Sequence, residues 1–345
     1  MSCLTGLKLG YIGSKRTLLP LFAPVFDKYL SPSSTSTFAD YFCGTGAVSA
    51  FIQARYPGVT IHCNDLQTYA TTITSARLAT YTNEEIGELR THLYTMSSSL
   101  TNGFFTTHYK GKYFTEENCQ RLDGARQYLQ AIQGEISPKL HTFLLASLIS
   151  SADTVANTAS VYSAYLKKIK PSALKPLKLT YLPTPDTTPS EVIATTENVC
   201  TLDCDKLFDV LYLDPPYNSR QYGSNYHVLE TIATYDEPTL SGITLLPSYV
   251  RSSFCSKAKQ NALEALRSVI ERFKWKVVML SYSSDGIMTL EEIVGLLLVR
   301  GRVIVYKVDY KRFQSHGKDK KEVVEYLIVC EGGERCEKVE IEVLG

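Results

Sequence analysis

The 345-residue chain contains no run of about 18 consecutive apolar residues, so a helical membrane span is not expected. Its first residues, Met1 to Lys8, lack the basic-then-apolar layout of a secretion signal, and the chain is expected to stay inside a cell. Cysteine occurs nine times, an odd number in a chain too long to need disulfide staples. That count fits a reducing compartment and thiols acting as small apolar groups. No metal site is expected, because the nearest pairs, Cys200 with Cys204 and Cys330 with Cys336, have no second pair or His at ligand spacing. Neither sign of charge dominates, since 36 basic and 35 acidic side chains leave a formal charge of +1. Any polyanionic partner must therefore be read from local clusters. Internal repeats and low-complexity tracts are absent too.

What is present is an ordinary globular composition, 44% hydrophobic and 21% charged, with strand-like and helix-like segments in alternation. This pattern predicts an α/β sheet with helices on both faces. Thr37–Phe42, Val59–Cys63, Phe208–Leu213 and Val277–Leu280 read as buried strands. Arg302–Val308 and Val323–Val329 flank a polar loop, as two antiparallel strands would. Between Asn83 and Glu197 the chain reads as mainly helical, with a Thr82/Glu85 capping box and a buried helix over Lys139–Ser150. A βαβ crossover needs far fewer residues. Residues 83–197 are therefore expected to form an inserted domain, with 1–82 and 198–345 as the catalytic unit and Leu182–Pro189 as the return linker.

Two motifs carry chemistry. Asp40-Tyr41-Phe42-Cys43-Gly44-Thr45-Gly46 lies between a strand and a helix, where glycines let the backbone approach a nucleotide. Ser49 stands where a third dinucleotide-fingerprint glycine would be, which counts against NAD, and Asp65 ends the second strand where it can take two ribose hydroxyls. A glycine turn that merely punctuates the fold would look the same. Asp214-Pro215-Pro216-Tyr217 follows a core strand. Its prolines stiffen the backbone and lack N–H groups. The Asp214 carboxylate and the Pro215 carbonyl can then accept both hydrogens of one aromatic amine, leaving its lone pair free, while Tyr217 stacks on the base. The bland alternative is a proline turn that caps a strand.

Together these segments resemble the S-adenosylmethionine-dependent DNA adenine-N6 methyltransferases whose order is cofactor loop, target-recognition domain, DPPY. Tyr11-Ile12-Gly13-Ser14-Lys15-Arg16 resembles the family's N-terminal cofactor motif, Asp40 to Gly46 its glycine loop, Asn64-Asp65 its ribose-binding acid, and Asp203 the acid for the cofactor's adenine amine. Asn218 to Glu230 and Ala156 to Lys168 resemble the subgroup that partners type II restriction enzymes, although a polar loop with packed tyrosines also describes the second stretch. The resemblance implies a Rossmann-like, seven-stranded mixed sheet ending in an antiparallel pair, with an inserted, mainly helical target-recognition domain. It implies S-adenosylmethionine held by Tyr11, Gly13, Lys15, Asp40, Phe42, Gly44, Gly46, Asp65 and Asp203, and Asp214 to Tyr217 as the catalytic residues.

The implied substrate is an adenine flipped from double-stranded DNA. A CATG-like site, a restriction endonuclease acting on the same site without a stable complex, and a cytoplasmic protein of bacterial or viral origin complete the expectation. Basic clusters at Lys167, Lys168, Lys170, Lys175 and Lys178 and at Lys307, Lys311, Arg312, Lys318, Lys320 and Lys321 can contact phosphates or form solvated faces. Arg220, Gln221 and Asn225 can touch the target strand or brace their loop. Tyr282 is read as a core or pocket-wall residue, and His227 as structural. Methylation of base amines in structured RNA, or a non-catalytic nucleic-acid-binding relative, are the competing readings.

Overall fold

A computed structural model of the chain describes residues 7, 9–10, 13–32, 36–179, 181, 183, 191–310 and 323–344. Its strands are β1 (Thr37–Tyr41), β2 (Thr60–Asp65), β3 (Val192–Thr196), β4 (Leu207–Leu213), β5 (Lys274–Ser283), β6 (Gly301–Tyr310), β7 (Val323–Gly332) and β8 (Val339–Leu344). Among the described residues they form one sheet in the order β3-β2-β1-β4-β5-β7-β6-β8. The first five are parallel, β7 runs against both β5 and β6, and β8 is parallel to β6. Sheet order reverses between β1 and β4, so the carboxyl ends of these two strands open a crevice where α/β proteins bind ligands.

Alternation along each strand builds two cores. Phe38, Val210, Tyr212 and Met279 face one side and pack on helices α1 (Leu19–Tyr29) and α2 (Ala47–Arg55). Ala39, Leu211, Leu213 and Leu280 face the other, which is covered by the helices Lys259–Arg272 and Leu290–Leu298. This is the two-residue period of a strand buried on both faces.

The other helices are α3 (Thr68–Leu78), α4 (Asn83–Ser98), α5 (Phe104–His108), α6 (Glu116–Ala131), α7 (Pro138–Val155), α8 (Tyr222–Asn225), α9 (His227–Thr234), α10 (Lys259–Arg272) and α11 (Leu290–Leu298). The Thr82/Glu85 capping box starts α4, with reciprocal bonds of 3.2 and 2.9 Å. The predicted buried helix is α7, which starts at a Ser137 cap and Pro138 and buries most of its surface.

Two expectations are corrected. The sheet has eight described strands rather than seven, because β8 extends the final antiparallel pair. Residues 83–197 also do not form a separate unit up to 197: β3 lies within that range and pairs in parallel with β2. Helices α4 to α7 share one apolar core with α3 and α9, where Ile86, Leu122, Leu144 and Leu148 meet Tyr69, Ile73, Leu229 and Ile232. The segment Leu182–Pro189, read as a linker, lies outside the described residues except for Pro183.

Candidate active site

The crevice between β1 and β4 opens into a cleft of about 1000 Å³, lined among others by Gly13, Lys15, Asp40, Phe42, Gly44, Asp65, Asp214, Pro215, Pro216 and Tyr217. The tertiary fold thus gathers segments that are almost 200 residues apart in the chain. Tyr11, expected beside them, lies outside the described residues.

Gly44 and Gly46 both adopt positive φ, which a side chain would strain. A Cβ on Gly46 would also lie 2.8 Å from Thr74 Oγ1. Thr74 donates to the Gly44 carbonyl at 3.0 Å, and Arg77 donates to the Thr45 carbonyl. Asp65 accepts from Gly44 N at 2.9 Å and from Gln67 N at 3.0 Å, so the acid assigned to ribose also braces the glycine loop. Ser49, in place of a third glycine, donates at 2.5 Å to Asp40 Oδ2. Asp40 Oδ1 is buried and accepts no hydrogen bond among the described residues.

Burial pushes the Asp40 carboxyl up to about 7 against the Ser49 hydrogen bond. Asp65 is pushed up to about 6 by burial, with its backbone donors opposing. Asp214 also rises to about 6 through burial, held back by Lys15.

Lys15 sits under the DPPY loop with 3% of its side chain exposed. Its Nζ donates to Tyr217 Oη at 2.7 Å and lies 3.1 Å from Asp214 Oδ1 and 3.7 Å from Glu325 Oε2. Burial alone would lower its pKa, yet Asp214, Tyr217 and Glu325 raise it above the ordinary lysine value. Lys15, expected at the cofactor, therefore also holds the Asp214–Tyr217 segment. Tyr217 packs edge-on against Tyr282, with ring centroids 5.6 Å apart, and its carbonyl accepts from Ile287 N at 3.0 Å. Tyr282 is buried behind Tyr217 rather than in the cleft lining.

Several other residues fall elsewhere. Asp203 is exposed and borders a shallow groove with Glu264 and Arg267, away from the cleft. The turn after β3, Glu197-Asn198-Val199, lines the cleft instead, because both the amide and the carbonyl of Glu197 are bonded to the Asn64 side chain at the end of β2. An unread β3 hid these residues from sequence reasoning. Gln221 is buried and makes paired hydrogen bonds with Ser252, Nε2 to O at 3.1 Å and N to Oε1 at 2.8 Å. Its side chain thus braces the loop where it borders the cleft. Asn225 is buried, and its carbonyl accepts from Tyr162 N. His227 is buried between the Ser224 and Thr244 carbonyls, in keeping with a structural role.

Arg220, Lys167, Lys168, Lys175 and Lys178 are exposed. The lysine-bearing loop is organised by Asn157, whose side chain donates to the Lys112 and Leu166 carbonyls and accepts from Lys170 N. The Tyr162–Asn225 bond ties this loop to α8, directly after the DPPY segment. Of the second basic cluster only Lys307 is described. No metal-binding group of His, Cys, Asp and Glu occurs among the described residues, and the eight described cysteines are free.

The geometry has close relatives in sequence. Type II methyltransferase M.CviAII of Paramecium bursaria Chlorella virus 1 is 34% identical over 333 residues, covering 93% of this chain and 99% of that protein. Type II methyltransferase M.NlaIII of Neisseria lactamica is 32% identical, covering 89% and 93%. Type II methyltransferase M.FokI of Planomicrobium okeanokoites is 32% identical over 92% of this chain, which spans 52% of that longer protein. Residues 11–295 match the family model of D12 class N6 adenine-specific DNA methyltransferases, and the chain belongs to that family.

Proposed function

We propose that the cleft binds S-adenosylmethionine beside an adenine flipped out of duplex DNA, and that Asp214, Pro215 and Tyr217 position the adenine amine for methylation at N6. The observation that carries this reading is that Asp214 and Tyr217 line the same cleft as Asp40, Gly44 and Asp65. The buried acceptor Asp40 Oδ1, which has no hydrogen bond among the described residues, suits a ligand ammonium. Asp65 and the Glu197 turn suit the nucleoside end. When bound there, the cofactor supplies a methyl carbon made electrophilic by its sulfonium.

Asp214 and the Pro215 carbonyl accept the two amine hydrogens and keep the N6 lone pair free. Tyr217 stacks on the flipped base, a contact worth about 1–3 kcal/mol. Holding both reactants in an attack geometry removes roughly 7–11 kcal/mol of the barrier. With its pKa near 6, Asp214 is ionised above neutrality and can take up the proton that N6 sheds. Lys167, Lys168 and Arg220 contact DNA phosphates.

The biological setting follows as part of the same proposal: a short CATG-like duplex site, a nuclease cutting the same site without a stable complex, and action in the cytoplasm. No helix among the described residues is long and apolar enough to cross a membrane. Transfer of tritiated methyl to duplex DNA, with none to ribosomal RNA, tests the activity. Sequencing methylated adenines in DNA from expressing cells reads the site. Label on RNA alone would overturn the proposal.

A further inference from the structure

Glu325 is an isolated acid in an apolar strand, Val323-Val324-Glu325-Tyr326-Leu327-Ile328-Val329. It sits on the buried-side parity of β7 with Val323 and Leu327, and 4% of its side chain is exposed. A charge in such a place is costly unless it is compensated. Its register partners are Ser283 on β5 and Val308 on β6. The neighbouring rung is locked by Ser284 N donating to the Val324 carbonyl at 2.8 Å and Val324 N donating to Ser284 Oγ at 3.0 Å. The carboxylate is therefore fixed at the carboxyl end of β5, on the edge of the sheet that carries the cleft, with the Lys15 ammonium 3.7 Å away.

Asp214 Oδ1 lies 3.1 Å from the same ammonium, but it accepts no hydrogen bond among the described residues, whereas Tyr217 Oη does. Lys15 acts on Asp214 first through charge, across this 3.1 Å ion pair. Oδ1 is shut from solvent, and the 16% exposure of the Asp214 side chain comes from its other atoms.

We propose that Glu325 is a positioning residue acting through Lys15: it shares the ammonium's charge, so that Asp214 remains a strong acceptor and the site keeps a net negative charge facing N6. This rests on the adenine-N6 reading above. During transfer, N6 donates its lone pair to the methyl carbon, the pair of that carbon's former bond stays on sulfur, and the excess proton on N6 passes to Asp214. N6 is cationic in between. Two carboxylates around one ammonium favour that cation; one carboxylate and one ammonium do not.

The groups facing Asp214 are Lys15, Tyr217, Tyr222 from α8, Tyr212 from β4, Asp40 from β1 and Glu325 from β7. Of these, Lys15 and Glu325 act on the Asp214 carboxyl with opposite sign. Neutralising Glu325 removes a repulsion and lowers the pKa of Asp214.

The test is the pH–rate profile of the full-length protein with Glu325→Gln and Glu325→Asp, using tritiated S-adenosylmethionine and a duplex substrate. Glu325→Gln is expected to lower kcat about ten- to a hundredfold with both KM values within about twofold, and to move the acid limb downward by about half a pH unit or more. Glu325→Asp keeps the charge and should keep the wild-type limb with a smaller loss of rate. A Gln variant with wild-type kcat and limb overturns the proposal, as does a loss of rate with the limb unmoved. If Glu325→Gln does not fold by circular dichroism, Glu325→Met, neutral and of similar length, decides, and wild-type kcat and limb in it overturn the proposal. A wild-type protein that transfers no methyl to duplex DNA fails the adenine-N6 reading itself and is distinguished by that control.

Discussion

The Lys15 ammonium donates a 2.7 Å hydrogen bond to the Tyr217 hydroxyl and lies 4.6 Å from the centre of the same ring. A residue from the N-terminal cofactor motif thereby fixes the aromatic residue assigned to the target base. Tyr217→Phe keeps the stacking face and loses the hydrogen bond, so kcat should fall only about three- to tenfold. Tyr217→Ala should also lose about 1–3 kcal/mol of base binding. The fluorescence of 2-aminopurine at the target position separates the two: Phe should retain the flipped-base signal and Ala should lose it.

Asp40 sets a pH dependence of opposite sign for stability and for binding. Its folded pKa, about 7, lies above the ordinary 3.8, so the folded state holds a proton that the unfolded state has released between those values. The stabilisation is complete below about 3.8 and is lost as pH rises through 7. Asp40→Asn should therefore raise ligand-free stability at pH 8 by on the order of 2–4 kcal/mol, read from urea unfolding. On the proposed reading, in which Asp40 takes the cofactor's ammonium, binding needs the ionised carboxylate. Sinefungin affinity measured by calorimetry should weaken up to about tenfold per unit below pH 7 in wild type, and should be weak and flat in Asp40→Asn.

Gly286 supports the site from behind. A Cβ there would sit 2.2 Å from Tyr282 Cε1, and Tyr282 is the ring on which Tyr217 packs. Gly286→Ala should cost about 1–3 kcal/mol of stability through overpacking. It should lower kcat more than it changes cofactor affinity, since the displaced ring adjoins the base site. Equal losses in both would argue against this coupling.

The lysine loop offers a separable handle on DNA. Replacing Lys167 and Lys168 together with alanine should reduce the slope of log affinity against log salt by about 2, with kcat at saturating DNA unchanged. Asn157→Ala leaves carbonyl and amide partners of that loop unmet and should cost about 1–3 kcal/mol, with a matching loss of DNA affinity. An unchanged salt slope in the double variant would remove these lysines from the interface.

Much of this was legible in the chain. Strands β1, β2, β4 and β5, the β6–β7 pair, the Thr82 capping box and α7 are local patterns, visible as apolar runs and caps. The glycine loop, Asp65 and Asp214 to Tyr217 were recognisable because their chemistry depends on adjacent residues. Edge strand β3 was not, because Val192–Thr196 is half exposed and lacks an apolar run. With it went the Glu197 turn, and Asp203 took its place in the sequence reading. The paired bonds between Gln221 and Ser252 join residues far apart in the chain and appear only in the fold.

The sequence by itself determined which residue types stand at the ends of the core strands, and hence the class of chemistry, because a motif's composition and order survive without a fold. Only the tertiary structure decided which distant charges share a site. Lys15, Asp214 and Glu325 meet because strand pairing brings the ends of β4 and β7 to one edge of the sheet and the short turn Lys15–Thr17 packs there. Coulombic coupling depends on separation in space and on burial, and neither is written in the spacing of residues along the chain.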